Sequence, residues 1–145
     1  MKLRDSELFR DSIESYQLEI GNLYLFENIA ISEINEGKHL CVDTADDYVS
    51  ILSDFYGTAK PFAYISNRVN SFSIAAIDFP KFVNVLKNLK AFSTVSYRRF
   101  DEMNIQVEKQ FCKLPYKKFK SLIDAYKIMN DYIINDLSSK TLKTI

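Results

Sequence analysis

A chain of 145 residues in which 47% are hydrophobic and 26% charged is long enough to bury one core and too apolar to stay disordered. Nineteen Lys/Arg balance nineteen Asp/Glu, which argues against nucleic acid as the partner, because phosphate binding needs surplus cations on one face. Two cysteines, Cys41 and Cys112, and one histidine, His39, make neither a disulfide framework nor a zinc ligand set, so no metal site, no cofactor and a cytoplasmic location are expected. No apolar run is long enough to span a membrane, and the opening Met-Lys-Leu-Arg-Asp-Ser-Glu is not followed by the apolar stretch of a signal peptide.

The neutral total hides an asymmetry. Residues 1–60 carry five Lys/Arg against twelve Asp/Glu, and residues 61–145 carry fourteen against seven. Either the two segments interleave and neutralise each other locally, or a surface dipole favours oligomerisation.

Alternation over Tyr16, Leu18 and Ile20 predicts a strand, with Gly21-Asn22 as a hairpin turn into a second strand, Asn22–Phe26. A third strand follows through Ile29, Ile31 and Ile34, with Ala30 and Glu33 on its other face, and ends at Asn35-Glu36-Gly37. After Leu40–Val42, Asp43 is placed to cap a helix over Thr44–Tyr56, with Tyr48, Ile51, Leu52 and Phe55 at helical spacing and Gly57 as the stop. Pro61–Ile65 is almost wholly apolar and reads as the central strand. Ser66–Ile77 has no clean period. Asp78 and Pro80 then open a helix over Phe79–Asn88, Ala91–Tyr97 reads as a second buried strand, and Asp101–Cys112 reads as a helix with Met103, Val107 and Phe111 inward. Pro115 ends that helix, Phe119 marks a short edge strand, and Ser121 caps a last helix with Leu122, Ala125, Tyr126, Met129 and Ile133 inward. The expected organisation is an N-terminal extension over residues 1–15, one α/β domain over 16–135 with helices mainly on one side of a mixed sheet, and a flexible polar tail over 136–145.

No catalytic constellation emerges, and an enzyme is not expected. His39 lacks partners for a triad or a metal site, the two cysteines read as small buried hydrophobes, and Gly21, Gly37 and Gly57 cannot make a phosphate loop. Asp46 and Asp47 complement the helix dipole where they stand. The informative stretch leaves the presumed central strand after Ile65: Asn67, Arg68, Asn70 and Ser71 mix hydrogen-bonding groups with one cation, either as a binding loop or as a self-satisfied turn. Arg98, Arg99, Lys109, Lys113, Lys117, Lys118 and Lys120 form a basic region, either a solvated face or a contact for a protein or an anionic ligand. Two functions are open. One is a non-enzymatic protein-interaction or regulatory domain; the other is a small-ligand or lipid-binding module with an apolar pocket near Phe72 and Phe79 and Arg68 on an anionic head group.

The order of elements, with the stretch Lys60–Ile74 and above all its block Tyr64-Ile65-Ser66-Asn67-Arg68-Val69-Asn70-Ser71, resembles small STAS-like proteins of flavobacterial type, STAS being the fold of sulphate transporters and anti-sigma factor antagonists. The resemblance spans about Tyr16 to Ile134. It implies a mixed sheet of four to five strands with helices mainly on one face, no catalysis, and signalling through protein contacts. In the phospho-switch members of that family an Asp-Ser-Ser motif follows the core strand and its serine is phosphorylated. Here the loop reads Asn70-Ser71-Phe72-Ser73 without that Asp, which leaves Ser71 and Ser73 as the candidate positions. A homo-oligomer, a dimer or higher, is expected, from the opposed charges of the two halves and from an outer strand that would otherwise leave backbone groups unpaired.

Overall fold

A computed structural model describes residues 1–143, with side chains described through Asp136. The chain forms β1 (Glu14–Gln17), β2 (Gly21–Leu25), β3 (Ile29–Ile34), β4 (His39–Leu40), α1 (Asp46–Tyr56), β5 (Phe62–Arg68), β6 (Ser73–Ile74), α2 (Phe79–Val85), β7 (Leu89–Ser96), α3 (Asp101–Phe111), β8 (Tyr116–Phe119) and α4 (Leu122–Lys143). The main sheet has the order β1-β2-β3-β5-β7-β8, an antiparallel meander continued by parallel strands. β4 and β6 form a separate parallel pair. The class is mixed α/β, as the sequence implies, but with six strands in the main sheet instead of four to five. Both short charged edges, Glu14–Gln17 and Tyr116–Phe119, pair fully with their neighbours.

Each parallel crossover, from β3 through α1, from β5 through α2 and from β7 through α3, steps the same way along the sheet. Crossovers of one hand that advance one way put their helices on one face. Tyr48, Leu52 and Tyr56 of α1, Phe79 of α2 and Cys112 just after α3 accordingly pack on Leu23, Leu25, Ala30, Phe62, Tyr64 and Phe92. Alternate strand residues face the other way. Tyr24, Ile29, Ile31, Ala63, Ile65, Ala91 and Val95 are covered by Leu122, Ala125, Met129 and Ile133 of α4. On the three-helix face the rings of Tyr64, Phe92 and Tyr116 stack across β5, β7 and β8 with centroids 5.2 Å apart, an arrangement that adds to burial. Because the parallel strands never reverse their order, this sheet lacks the switch-point crevice in which open α/β sheets usually hold ligands.

The same one-way advance lays the acidic first half of the chain on β1 to β3 and α1, and the basic second half on β5 to β8. Among the described residues the ion pairs Lys38–Glu19, Lys60–Glu27, Arg68–Glu108, Lys81–Asp78 and Lys118–Glu102 each stay within one half. The charge asymmetry of the sequence thus becomes an asymmetry across the sheet.

Several local expectations shift. The first hairpin turns at Glu19-Ile20, where Leu18 and Gly21 exchange backbone bonds of 3.0 and 3.2 Å, and Gly21 lies inside β2 opposite Ile34. A Cβ on Gly21 would lie 2.4 Å from the Glu33 carbonyl, so glycine is required there by close approach of the neighbouring strand. In β3 the period of two sets Glu33 on the same face as Ile29 and Ile31, with Ile34 opposite, so that face ends on a buried carboxylate. α1 begins at Asp46 and not at Thr44, so its N-cap position falls on Ala45, which has no side-chain acceptor, and Asp43 does not cap it; Thr44 belongs to the preceding turn, accepting from the Cys41 amide at 2.9 Å and donating to the His39 carbonyl at 2.7 Å. α2 stops at Val85, short of Asn88, because a turn closed by Leu89 N–H on the Leu86 carbonyl leads directly into β7.

The first fifteen residues are part of the same unit: Leu3 and Leu8 pack into the core beneath Tyr24 and Ile31. α4 begins as expected, with the Ser121 hydroxyl accepting from the Asp124 amide at 3.3 Å. It continues to Lys143 through most of the stretch expected as a tail; 144–145 lie outside the described residues. No helix among the described residues is long and apolar enough to cross a membrane.

Candidate functional site

β5 runs on to Arg68 and all seven of its residues are buried, so Asn67 and Arg68 belong to a strand and not to the loop expected after Ile65. Alternation sends them to opposite faces. The Asn67 amide donates to Glu33 Oε2 at 2.7 Å and to the Met1 carbonyl at 2.9 Å, and its oxygen accepts from the Tyr97 hydroxyl at 2.6 Å. Glu33 Oε2 also accepts from the Leu3 amide at 2.7 Å. This cluster clasps the first residues of the chain to the sheet.

On the three-helix face the Arg68 guanidinium forms a fork on Glu108 of α3: Nη1 donates to Oε2 at 2.8 Å and Nη2 bonds Oε1, while Nε donates to Ser66 Oγ at 3.2 Å. The Tyr116 hydroxyl donates to Glu108 Oε1 at 2.9 Å and lies 2.7 Å from Thr94 Oγ1. About two turns earlier on α3, Asp101 accepts from Ser96 at 3.0 Å. Burial alone would lower the affinity of Arg68 for its proton, but the hydrogen bonds and charge of Glu108 outweigh it and hold the group above its ordinary range. Burial also pushes the Tyr116 phenol up, in concert with the Glu108 carboxylate. Both phenol and guanidinium therefore keep their protons near neutral pH.

This network turns α3 over. Asp101, Ile105 and Glu108 face inward, whereas Met103 and Val107, expected as core, are 80% and 45% exposed; Phe111 at the end of the helix packs half-buried on the core, as expected. Phe100, just before the helix, is 67% exposed, and so is Ile77 at 68% on the short turn that packs against α3. At about 100° per residue Phe100, Met103 and Val107 fall within roughly 60° of one another, a single apolar stripe. Beside it lies a cleft of about 130 Å³ between α3 and the chain over 70–76, lined by Asn70, Phe72, Ile74, Ala76, Asn104 and Val107, with Arg68 and Glu108 at its base. On the opposite flank of α3, Arg98, Arg99, Lys118 and Lys120 line an open basic depression with Tyr97 and Glu102. Apolar spacing alone hid this surface. The signal that could have revealed it is the placing of Asp101, Ile105 and Glu108 on one helix face, with a buried arginine in need of a carboxylate.

The other candidates are tied into the framework. Asn70 donates to the Ile34 carbonyl at 3.0 Å, and the Ser71 amide donates to Glu36 at 3.0 Å. A phosphate on Ser71 would therefore meet the Glu36 carboxylate, while Arg68 is already committed to Glu108. Ser73 is exposed, and its hydroxyl lies 2.7 Å from His39 Nδ1, a contact made by pairing of β4 with β6. No carboxylate among the described residues bonds the other ring nitrogen, so the pair lacks the orienting third group of a triad. Hydrogen bonds from Thr44 lower the Cys41 thiol pKa, and burial raises that of Cys112. No group of three or more His, Cys, Asp or Glu among the described residues is arranged to hold a metal ion.

The apolar cavity lies under α1 and α2, about 60 Å³ in volume, lined by Tyr48, Leu52, Tyr64, Phe79, Phe82 and Leu86 among others. Burial pushes the Tyr64 phenol there up to about 12. Phe79 belongs to this cavity, but Phe72 does not: its ring lies 5.5 Å from the Arg68 guanidinium in the neighbouring cleft. No protein-family model matches the chain, and neither a curated protein nor a solved structure does.

Proposed function

We propose that the chain is a non-enzymatic protein-interaction domain of STAS-like type, regulatory in its use, and that α3 is its contact element. The observation that carries this reading is the reversal of α3, which buries two carboxylates and leaves Phe100, Met103 and Val107 in water beside Ile77. Isolated exposed apolar residues are ordinary, but four large ones on adjoining elements next to a cleft support reading this surface as one that another molecule covers. The resemblance of the Tyr64–Ser71 block and the order of the elements support the same reading. The alternative, a small-ligand module, has the apolar cavity in its favour. At about 60 Å³ that cavity is less than half the roughly 150 Å³ that admits a benzene ring, and Arg68 lies outside it.

Native mass spectrometry of the protein purified from its own host distinguishes the two. A bound polypeptide that is lost from a Phe100→Ser/Met103→Ser variant supports the interaction domain. A retained small molecule that the same variant still holds overturns it.

A further inference from the structure

We infer that the α3 surface takes an amphipathic helix with an acidic polar face, an inference that rests on the interaction reading and names the partner's chemistry. The apolar stripe from Phe100 to Val107 covers about two helical turns, or roughly 10 Å of axis, the length over which a docked helix presents anchors at i, i+3 or i+4, and i+7. Val107 belongs to both the stripe and the cleft of about 130 Å³ beside it, so a partner lying along α3 can lower one side chain between α3 and Phe72. Asn104 at the cleft border offers that partner a hydrogen bond, and the ion pair at its base is already satisfied.

Charge selects among possible occupants. Arg99 and Lys120 are exposed and Lys118 is partly so on one flank of α3, and Lys81 is exposed beside Ile77 on the other. Lys81 is spent on Asp78, Lys118 on Glu102 and Arg68 on Glu108, which leaves Arg98, Arg99 and Lys120 against Asp101, whose partner Ser96 is neutral. The rim is therefore cationic, and acidic side chains flanking an apolar seam complement it. A second copy fits less well. Pairing α3 with α3 about a two-fold axis would bring two basic halves together, and pairing α3 with the acidic half of another copy is a head-to-tail contact that needs a ring-closing rotation to end in a finite assembly. Docking along the sheet edges is opposed by the charges of Glu14, Lys117 and Lys118 on β1 and β8.

The test is selection of a display library of helical peptides of about 18 residues against the intact protein, counter-selected on a Phe100→Ser/Met103→Ser variant. Substitution of these exposed side chains leaves the fold intact, which circular dichroism verifies. The expected winners carry large apolar residues at i, i+3 or i+4, and i+7 with net negative charge. As synthetic peptides they bind the variant at least about tenfold more weakly and lose affinity as salt is raised. Enrichment of cationic or neutral peptides overturns the acidic partner while keeping the interaction reading. Concentration-dependent dimerisation by light scattering that the variant abolishes does the same, by assigning the face to a second copy. Absence both of selective peptides and of self-association overturns the two together.

Discussion

Arg68 on β5 and Glu108 on α3, forty residues apart, form a two-pronged ion pair in which each side chain is almost fully buried. Such a pair contributes little net stability relative to well-packed apolar side chains, but breaking it leaves one charge in a low dielectric, at a cost of about 3–5 kcal/mol. Its value here is orientation: Glu108 decides which face of α3 meets the sheet. Arg68→Ala or Glu108→Ala is therefore expected to lower Tm by roughly 10 °C or more, whereas Arg68→Met with Glu108→Leu loses much less. Thermal melts of the three variants check this. A single variant with an unchanged Tm would show that Arg68 is not a scaffold residue.

Glu33 has a comparable role on the opposite face, with a backbone amide in place of a cation. Its carboxylate is held by Leu3 N–H and by Asn67, and Leu3 itself is wholly buried. Leu3→Ala is expected to cost about 2–5 kcal/mol, the range for a fully buried leucine. Lys2→Ala, on an exposed neighbour, stays within about 0.5 kcal/mol. Urea denaturation of both variants measures the difference, and equal values would mean that residues 1–15 are an appendage after all.

Asp78 supplies a pH dependence. Its Oδ2 accepts from the Val42 amide at 2.9 Å, and its Oδ1 lies 3.3 Å from Lys81 Nζ. The backbone bond first, and Lys81 after it, lower its pKa in the folded state. A carboxyl with a depressed folded pKa stabilises the fold above its unfolded pKa, about 4, and loses that contribution as pH falls through the folded value. The stability gap between wild type and Asp78→Asn should thus be largest near pH 7 and shrink below about pH 4. Paired denaturation curves at pH 7 and pH 3 test the sign; a gap that widens in acid would contradict the assignment.

Sequence patterning made the parallel half of the sheet legible because Pro61–Ile65 and Ala91–Ser96 are buried on both faces, and apolar runs between helices have few other readings. It misplaced the first turn because a Gly-Asn pair looks like a hairpin corner, whereas Gly21 is needed where β3 passes too close for a Cβ. It also stopped β5 at Ile65, because Ser66, Asn67 and Arg68 are polar. Their partners, Glu33 and Glu108, lie more than thirty residues away in the chain, beyond the reach of local periodicity. Within that segment Asn67 and Arg68 anchor the two layers, and the exposed surface next to them belongs to α3.

That inversion of α3 yields the sharpest comparison. Local apolar spacing puts Met103, Val107 and Phe111 inward; the structure puts Ile105 inward with no measurable exposure and leaves Met103 80% exposed. The two registers make opposite forecasts for the same pair of substitutions. With Ile105 in the core, Ile105→Ala removes buried methyl groups and leaves a cavity, for a loss of about 2–5 kcal/mol. Met103→Ser changes stability by no more than about 0.5 kcal/mol, since its side chain packs against nothing it would lose. If α3 faced the other way, Met103→Ser would carry the larger penalty and Asp101 with Glu108 would lie in water, leaving Arg68 buried without its partner. Chemical denaturation of Ile105→Ala and Met103→Ser ranks the two, and a larger loss for Met103→Ser would remove the exposed stripe together with the docking surface built on it.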